Sequence, residues 1–302
     1  MNPCNQCPRA CGTDRSQKPG LCLAGEEPLL AKIMLHQWEE PFLTGEGGSG
    51  ALFFSGCNLR CVFCQNQTIS HELKGRTCSK EELIDIMFRL KERGAVNINL
   101  VTAAHFTRQL VPVLREARAR GLNLPVVWNS SGYESVESLR LLDGLIDVYL
   151  PDFKYMDPAL ALRYSRAEDY PAAARAAITE MVRQTGPLRF QDDLLMGGTV
   201  VRHLVLPGHA DDSQSVLAWL ATTFGHDIFL SIMNQYTPCG DLSAVPELNR
   251  RLTAAEYDEV VDYALALGIE NALLQSEESQ TLDYTPDFSV SEEGLSDASD
   301  AN

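Results

Sequence analysis

The sequence predicts an α/β protein built on a mainly parallel sheet. Three observations carry this. Six short apolar runs, at residues 51–54, 97–101, 125–128, 146–150, 200–206 and 228–233, read as buried strands. Helical stretches separate them. Start and stop signals bound those stretches. Alternation of this kind folds into a parallel sheet through right-handed crossovers. A chain of 302 residues with 45% hydrophobic content is large enough for such a core and for appendages.

Taken in order, residues 1–28 form a cysteine-rich extension. Cys4, Cys7, Cys11 and Cys22 are spaced Cys-x2-Cys-x3-Cys-x10-Cys and punctuated by Pro3, Pro8, Gly12, Pro19, Gly20 and Gly25. A segment this short cannot fold around its own apolar core, and metal binding can supply the missing energy. Four thiolates suit either tetrahedral zinc or a fully capped iron–sulfur cluster. Residues 29–50 read as a connecting arm. Its glycine run, Gly45 to Gly50, precedes a strand where a phosphate loop would follow one, so it reads as a turn.

The core is expected over residues 51–275. Ser79-Lys80-Glu81-Glu82 is a capping box, and its helix stops near Gly94. Residues 107–120 place Leu110, Val113, Leu114 and Ala117 on one face ahead of Gly121. Residues 171–184 are alanine-rich and helical. A second capping box, Thr253-Ala254-Ala255-Glu256, leads a helix to Leu267-Gly268, and residues 272–275 read as a short last strand. Residues 276–302 carry eight acids and no Lys or Arg, half of the net charge of −16, and read as a disordered acidic tail.

Chemistry concentrates where the first core strand ends: Gly56-Cys57-Asn58-Leu59-Arg60-Cys61-Val62-Phe63-Cys64. Three thiolates at Cys-x3-Cys-x2-Cys spacing can share one iron–sulfur cluster. In a four-iron cluster, three protein ligands leave one iron open to a small molecule. The alternative is a zinc loop. Structural zinc takes four ligands, and no fourth cysteine is close by until Cys78.

The cysteine spacing, with Phe63 before the last thiol, resembles the radical S-adenosylmethionine (SAM) superfamily. The longer stretch Phe53-Phe54-Ser55-Gly56-Cys57-Asn58-Leu59-Arg60-Cys61-Val62-Phe63-Cys64-Gln65-Asn66 narrows the resemblance, with Trp38-Glu39-Glu40-Pro41 and Arg202-His203-Leu204-Val205-Leu206-Pro207-Gly208. They resemble homologues of pyruvate formate-lyase activating enzyme that carry an N-terminal four-cysteine extension. The resemblance implies a partial (β/α)6 TIM-like barrel. It implies a [4Fe-4S] cluster on Cys57, Cys61 and Cys64, with SAM on the open iron. The electron delivered there splits the sulfonium, and a 5′-deoxyadenosyl radical removes hydrogen from a substrate.

Site chemistry in such folds gathers at the carboxyl ends of the strands. By resemblance, Phe63 lies near SAM, and the backbone of Thr102 and Ala103 follows the second strand. Asn129 and Ser130 follow the third, in place of an acid-led turn. Asp152 and Lys154 share one face after the fourth. Arg202 is expected near the SAM carboxylate, and Gln235 at the end of the sixth strand. His105 reads either as a substrate-facing group or as a helix-start histidine. A glycyl-radical enzyme is the first protein substrate the resemblance suggests, with flavodoxin or ferredoxin as reducing partner. Radical chemistry on a small molecule or another side chain is the second reading, and an iron–sulfur electron carrier or metal-stabilised binding module the third.

The negative charge argues against a nucleic-acid surface. No apolar run approaches the ~18 residues of a membrane span. The polar start and the metal-type cysteine spacing suit a reducing cytoplasm.

Overall fold

A computed structural model describes residues 3–281 and 285–288. Strands β1 (Leu29–His36), β2 (Ser49–Phe54), β3 (Arg76–Thr77), β4 (Asn97–Val101), β5 (Val126–Ser130), β6 (Val148–Pro151), β7 (Arg189–Gln191), β8 (Leu194–Leu204), β9 (Ile228–Met233) and β10 (Ala272–Leu274) form one sheet. The helices are α1 (Pro41–Thr44), α2 (Gln67–Ser70), α3 (Lys80–Glu92), α4 (Thr107–Ala119), α5 (Val136–Arg140), α6 (Pro158–Ser165), α7 (Tyr170–Thr185), α8 (Ala210–Phe224) and α9 (Ala254–Ala266).

The strand order is β10-β9-β8-β6-β5-β4-β2-β1-β3, with β7 paired to β8. The six strands expected from the sequence are β2, β4, β5, β6, β8 and β9. They run parallel, each beside the next. β10 adds a parallel edge, and β1 adds an antiparallel one. The sequence read β1 as part of the connecting arm. Its pairing with β2 shifts register between Leu30 and Lys32, which breaks the simple alternation that marks a strand.

Side-chain alternation sorts the core into two shells. Leu52, Phe54, Trp128 and Tyr149 point outward, under α3, α4 and α7. Ala51, Phe53 and Val101, with Val127, Val148, Leu150 and Val200, point inward and fill the lower barrel. Both capping boxes form: Ser79 and Glu82, and Thr253 and Glu256, exchange their side-chain and backbone hydrogen bonds.

The described residues 3–28 contain no long regular element; they bond to the segments that follow β2, β4 and β5, through Cys22 to Cys57, Arg15 to the His105 carbonyl and the Gln6 carbonyl to Ser138. The stretch expected as a tail begins inside the described region. Glu277–Ser279 forms a 3-10 turn and Phe288 is buried, whereas residues 289–302 lie outside the described residues. Among the described residues, no helix is long and apolar enough to cross a membrane.

Candidate functional site

One cavity of about 230 Å³ opens at the carboxyl ends of the parallel strands. Its wall contains Cys57, Cys61, Cys64, Phe63, Thr102, Asn129, Ser130, Asp152, Lys154, Arg202 and Gln235. These eleven are the expected site residues of the core save one. Ala103 is fully buried in the outer shell and is absent from that wall. β8 has Arg202 facing the cavity. The neighbouring His203 turns away and bonds the Phe153 carbonyl through Nδ1. Burial pushes His203 down to about 4 and His105 down to about 3. His105 bonds the Ser55 carbonyl through Nε2, which answers its two readings in favour of a neutral structural group.

The cysteine loop leaves β2 through Gly56, whose φ is +85°. A Cβ there would lie 2.7 Å from the Cys22 carbonyl oxygen, so only glycine fits. Each thiol of the loop has a donor beside it. The Leu59 N–H reaches Cys57 Sγ at 3.4 Å, Ser165 Oγ reaches Cys61 Sγ at 3.1 Å, and Ser70 Oγ reaches Cys64 Sγ at 3.4 Å. Hydrogen bonds to sulfur of this kind tune a bound cluster. Without metal, burial pushes the Cys57 thiol up to about 12 and the Cys64 thiol up to about 11. Metal loading therefore releases protons here. Among the described residues, no three His, Cys, Asp or Glu side chains form a site for a single metal ion. A four-iron cluster would be held by three such thiolates and would leave one iron for a small molecule. Three inward thiols with sulfur-directed donors fit that group.

Beside the thiols lies a buried charge network. Lys154 Nζ donates to Asp152 Oδ2 at 2.7 Å, and Arg202 Nε donates to Asp152 Oδ1 at 2.9 Å. An isolated parallel bridge between Asp152 and Arg202 extends the β6–β8 ladder and brings the two together. Arg202 also donates to Asn129 Oδ1 at 2.6 Å and to Glu39 Oε2 at 3.3 Å. Burial works against the Asp152 carboxylate, but Arg202 and Lys154 outweigh it and hold its pKa below the ordinary value. Burial likewise opposes the Lys154 ammonium, yet Asp152 and Cys61 raise its pKa. The network presents fixed carboxylate, ammonium, guanidinium and amide groups. Such a set matches a ligand bearing an amine, a carboxylate and hydroxyls.

Glu39 also lines this cavity, and local sequence reasoning left it unassigned. Its Oε1 accepts from Asn99 Nδ2 at 3.3 Å and Asn129 Nδ2 at 3.0 Å. The signal was the Trp38-Glu39-Glu40-Pro41 stretch. Trp38 lines the same cavity and stays 62% exposed at its mouth. Burial raises the neighbouring Glu40 carboxyl to about 7. Thr285 and Pro286 also line the wall.

The extension touches the cysteine loop through Cys22 and Arg9. The Cys57 N–H donates to the Cys22 carbonyl at 3.1 Å. Arg9 donates to the Asn58, Leu59, Ser165 and Arg166 carbonyls, and its guanidinium stacks on Tyr133. Cys78 bonds through sulfur to the Arg76 carbonyl, and Cys239 bonds through sulfur to the Phe63 carbonyl of the cysteine loop.

A family model described as the radical SAM superfamily matches residues 52–220, more than half of the 302. An uncharacterized protein of Methanocaldococcus jannaschii is 29% identical over 269 residues, covering 86% of this chain and 74% of its own length. The pyruvate formate-lyase-activating enzyme of Clostridium pasteurianum is 25% identical over 118 residues, 37% of this chain and 48% of that enzyme. The crystal structure of Streptococcus suis SuiB bound to S-adenosylmethionine is 11% identical with a TM-score of 0.46. That match covers 73% of this chain and 48% of SuiB, so the chain spans about half the length of SuiB and of the activating enzyme. The chain belongs to the radical SAM superfamily.

Proposed function

We propose that this protein is a radical SAM enzyme whose Cys57, Cys61 and Cys64 hold a [4Fe-4S] cluster with one open iron. When bound, the cluster and SAM supply a 5′-deoxyadenosyl radical for hydrogen abstraction. The chain's own residues hold and orient. Lys154, Asp152, Arg202, Asn129 and Ser130 seat the amine, carboxylate and ribose of SAM, with Thr102 and Ala103 contributing backbone. Gln235 and Phe63 complete the wall on the cysteine side. Ser165, Ser70 and the Leu59 N–H bond the three sulfurs, and Phe53, Val101 and the lower barrel exclude water from below. The observation that carries this reading is the convergence of three donor-paired thiols and the Asp152–Lys154–Arg202 network on one cavity.

The substrate we infer is a glycyl residue on a partner enzyme, supported by the partial similarity to an activating enzyme. Flavodoxin or ferredoxin is the reducing partner this reading requires. The four cysteines of residues 1–28 form a second metal site, for zinc or a second cluster.

The test is anaerobic reconstitution followed by SAM and a reductant. The expected outcome is 5′-deoxyadenosine that disappears in Cys61→Ala. With a glycyl-radical enzyme present, a carbon-centred radical signal should appear on the partner. An intact cluster that yields no 5′-deoxyadenosine would overturn the enzyme reading. 5′-Deoxyadenosine without a partner radical would overturn the glycyl substrate alone.

A further inference from the structure

We propose that the inner face of β1, with Phe53 of β2, is a docking groove for an extended peptide of a protein substrate, and that residues 285–288 of this chain occupy it in the free enzyme. The groove rests on the reading above that the substrate is a residue of a partner protein.

β1 turns alternate side chains to one face. Lys32 and Met34 stand opposite the inward Phe53 and Ala51 of β2, and His36 follows on the same face. Met34 packs against the cluster that holds Phe53 and Phe288. His36 lies edge-on to Phe53 at 5.8 Å and lines the cavity. β3 pairs with β1 only at Leu29 and Leu30, so among the described residues the rest of β1 is an edge of the sheet. A sheet edge beside an apolar stripe suits an extended peptide, which brings its own main-chain donors and acceptors.

Residues 285–288 already lie on that stripe. Thr285 and Pro286 line the cavity, and the Asp287 carbonyl accepts from the fully buried Lys32. Phe288 meets Phe53 edge-on at 5.7 Å. These contacts are of a kind that a substrate peptide can reproduce. Any peptide has a carbonyl for Lys32, and a bulky apolar residue fills the place of Phe288. An ammonium is rarely fully buried without a partner, so the groove calls for such a group whenever it is filled. The stretch before the segment is held elsewhere, by Gln280 to Asn234 and to the Leu252 carbonyl. Those bonds do not depend on residues 285–288 staying in place.

The same contacts set a register. Three extended steps, from the Thr285 position to the Phe288 position, span at most roughly 10–11 Å. A peptide anchored where Phe288 sits therefore presents to the cavity the residues two and three places before its apolar anchor. Trp38, 62% exposed at the cavity mouth, offers a flat apolar surface to the chain that continues outward.

Peptide binding to the full chain tests this. The probe is a fluorescein-labelled peptide of residues 283–290. Phe288→Ala should bind it at least about tenfold more tightly than wild type, because the tethered segment no longer competes at its high effective concentration. Phe288→Leu keeps a tethered apolar anchor and should bind the probe as weakly as wild type. A probe that itself carries Phe288→Ala should bind neither chain. A benzophenone at the anchor position of the probe, added in excess to wild type, should crosslink to Ala31 or Met34, a readout that needs no variant. Equal affinity of the probe for wild type and Phe288→Ala overturns the groove, and so do crosslinks confined to residues outside β1 and β2. With a glycyl-radical enzyme present, excess probe should suppress the partner's radical signal in Phe288→Ala. A partner radical that the probe leaves unchanged overturns the groove and keeps the glycyl substrate. Tight probe binding to Phe288→Ala with no partner radical keeps the groove, for another protein, and overturns the glycyl substrate.

Discussion

Arg202 is the residue on which the charge of the cavity balances. Its guanidinium is 16% exposed and lies between Asp152 and Glu39, with Asn129 at its third corner. Breaking a buried ion network by removing one partner leaves the others uncompensated and costs ~3–5 kcal/mol. Arg202→Gln is therefore expected to lose about 3 kcal/mol of stability at neutral pH, read by denaturant unfolding. The loss should shrink as pH falls, because Asp152 loses the cation that favours its charged form and takes up a proton more readily. Adding Glu39→Gln should recover part of the deficit, and a double variant no more stable than Arg202→Gln would show that Glu39 is not coupled to it. Asp152 and Lys154 were legible in the sequence because alternation puts them on one face; alternation allowed only one of Arg202 and His203 into the cavity, and the family resemblance singled out Arg202. Glu39 was not, because no local pattern sets its direction. Its place depends on β1 pairing antiparallel with β2, a contact between segments separated by the glycine turn.

At the scale of elements, the capping boxes and the strands at residues 97–101 and 228–233 were legible to the residue. Each has a local cause: a paired cap in one case, an uninterrupted apolar run in the other. β1 was missed because a bulge and the fully buried Lys32 disrupt its period. β5 shows how an element end is locked for use. Trp128 points outward and donates through Nε1 to Glu134 Oε2 at 2.9 Å, while Ser130 donates to Glu134 Oε1 at 2.6 Å. Glu134 thus ties the strand to the turn that follows and fixes the end carrying Asn129 and Ser130. Burial raises its carboxyl to about 7, against ~4.3 in an unfolded chain. The folded protein holds an extra proton between those values. The stability tied to that proton is complete below ~4.3 and is lost as pH rises to about 7, on the order of 3 kcal/mol in all. Glu134→Gln has no such proton. The melting-temperature advantage of wild type over Glu134→Gln should therefore decline from pH 4.5 to 7 and then level off. A constant difference across that range would show that Glu134 is ionised in the folded protein throughout.

At the scale of the whole molecule, the sheet does not close on itself, because β10 and β3 are its two ends. The chain beyond β10 works on that opening. Gln280 Nε2 donates to Asn234 Oδ1 at 2.8 Å and to the Leu252 carbonyl at 3.2 Å, which ties this stretch to the end of β9. Further on, the Asp287 carbonyl accepts from the buried Lys32 of β1. Phe288 packs edge-on against Phe53 at 5.7 Å and joins Ala31, Ala51, Ile69 and Val101 inside the barrel. Residues on both sides of the gap are thus held by one segment, and Thr285 and Pro286 form part of the cavity wall. Composition pointed the other way, because residues 276–302 carry eight acids, and the two aromatics among them, Tyr284 and Phe288, carry little weight in an average. Phe288 is 9% exposed, so truncating it should forfeit about 2 kcal/mol of apolar burial. For a chain of this size that lowers the melting temperature of Phe288→Ala by roughly 4–6 °C. The change should also open the cavity toward β1, so that SAM, once bound, exchanges faster in stopped-flow measurements. Phe288→Leu keeps most of the apolar area and should retain most of the stability. Equal melting temperatures for Phe288→Ala and wild type would mean that this side chain spends its time outside the barrel, and that the opening between β1 and β10 is covered by something else.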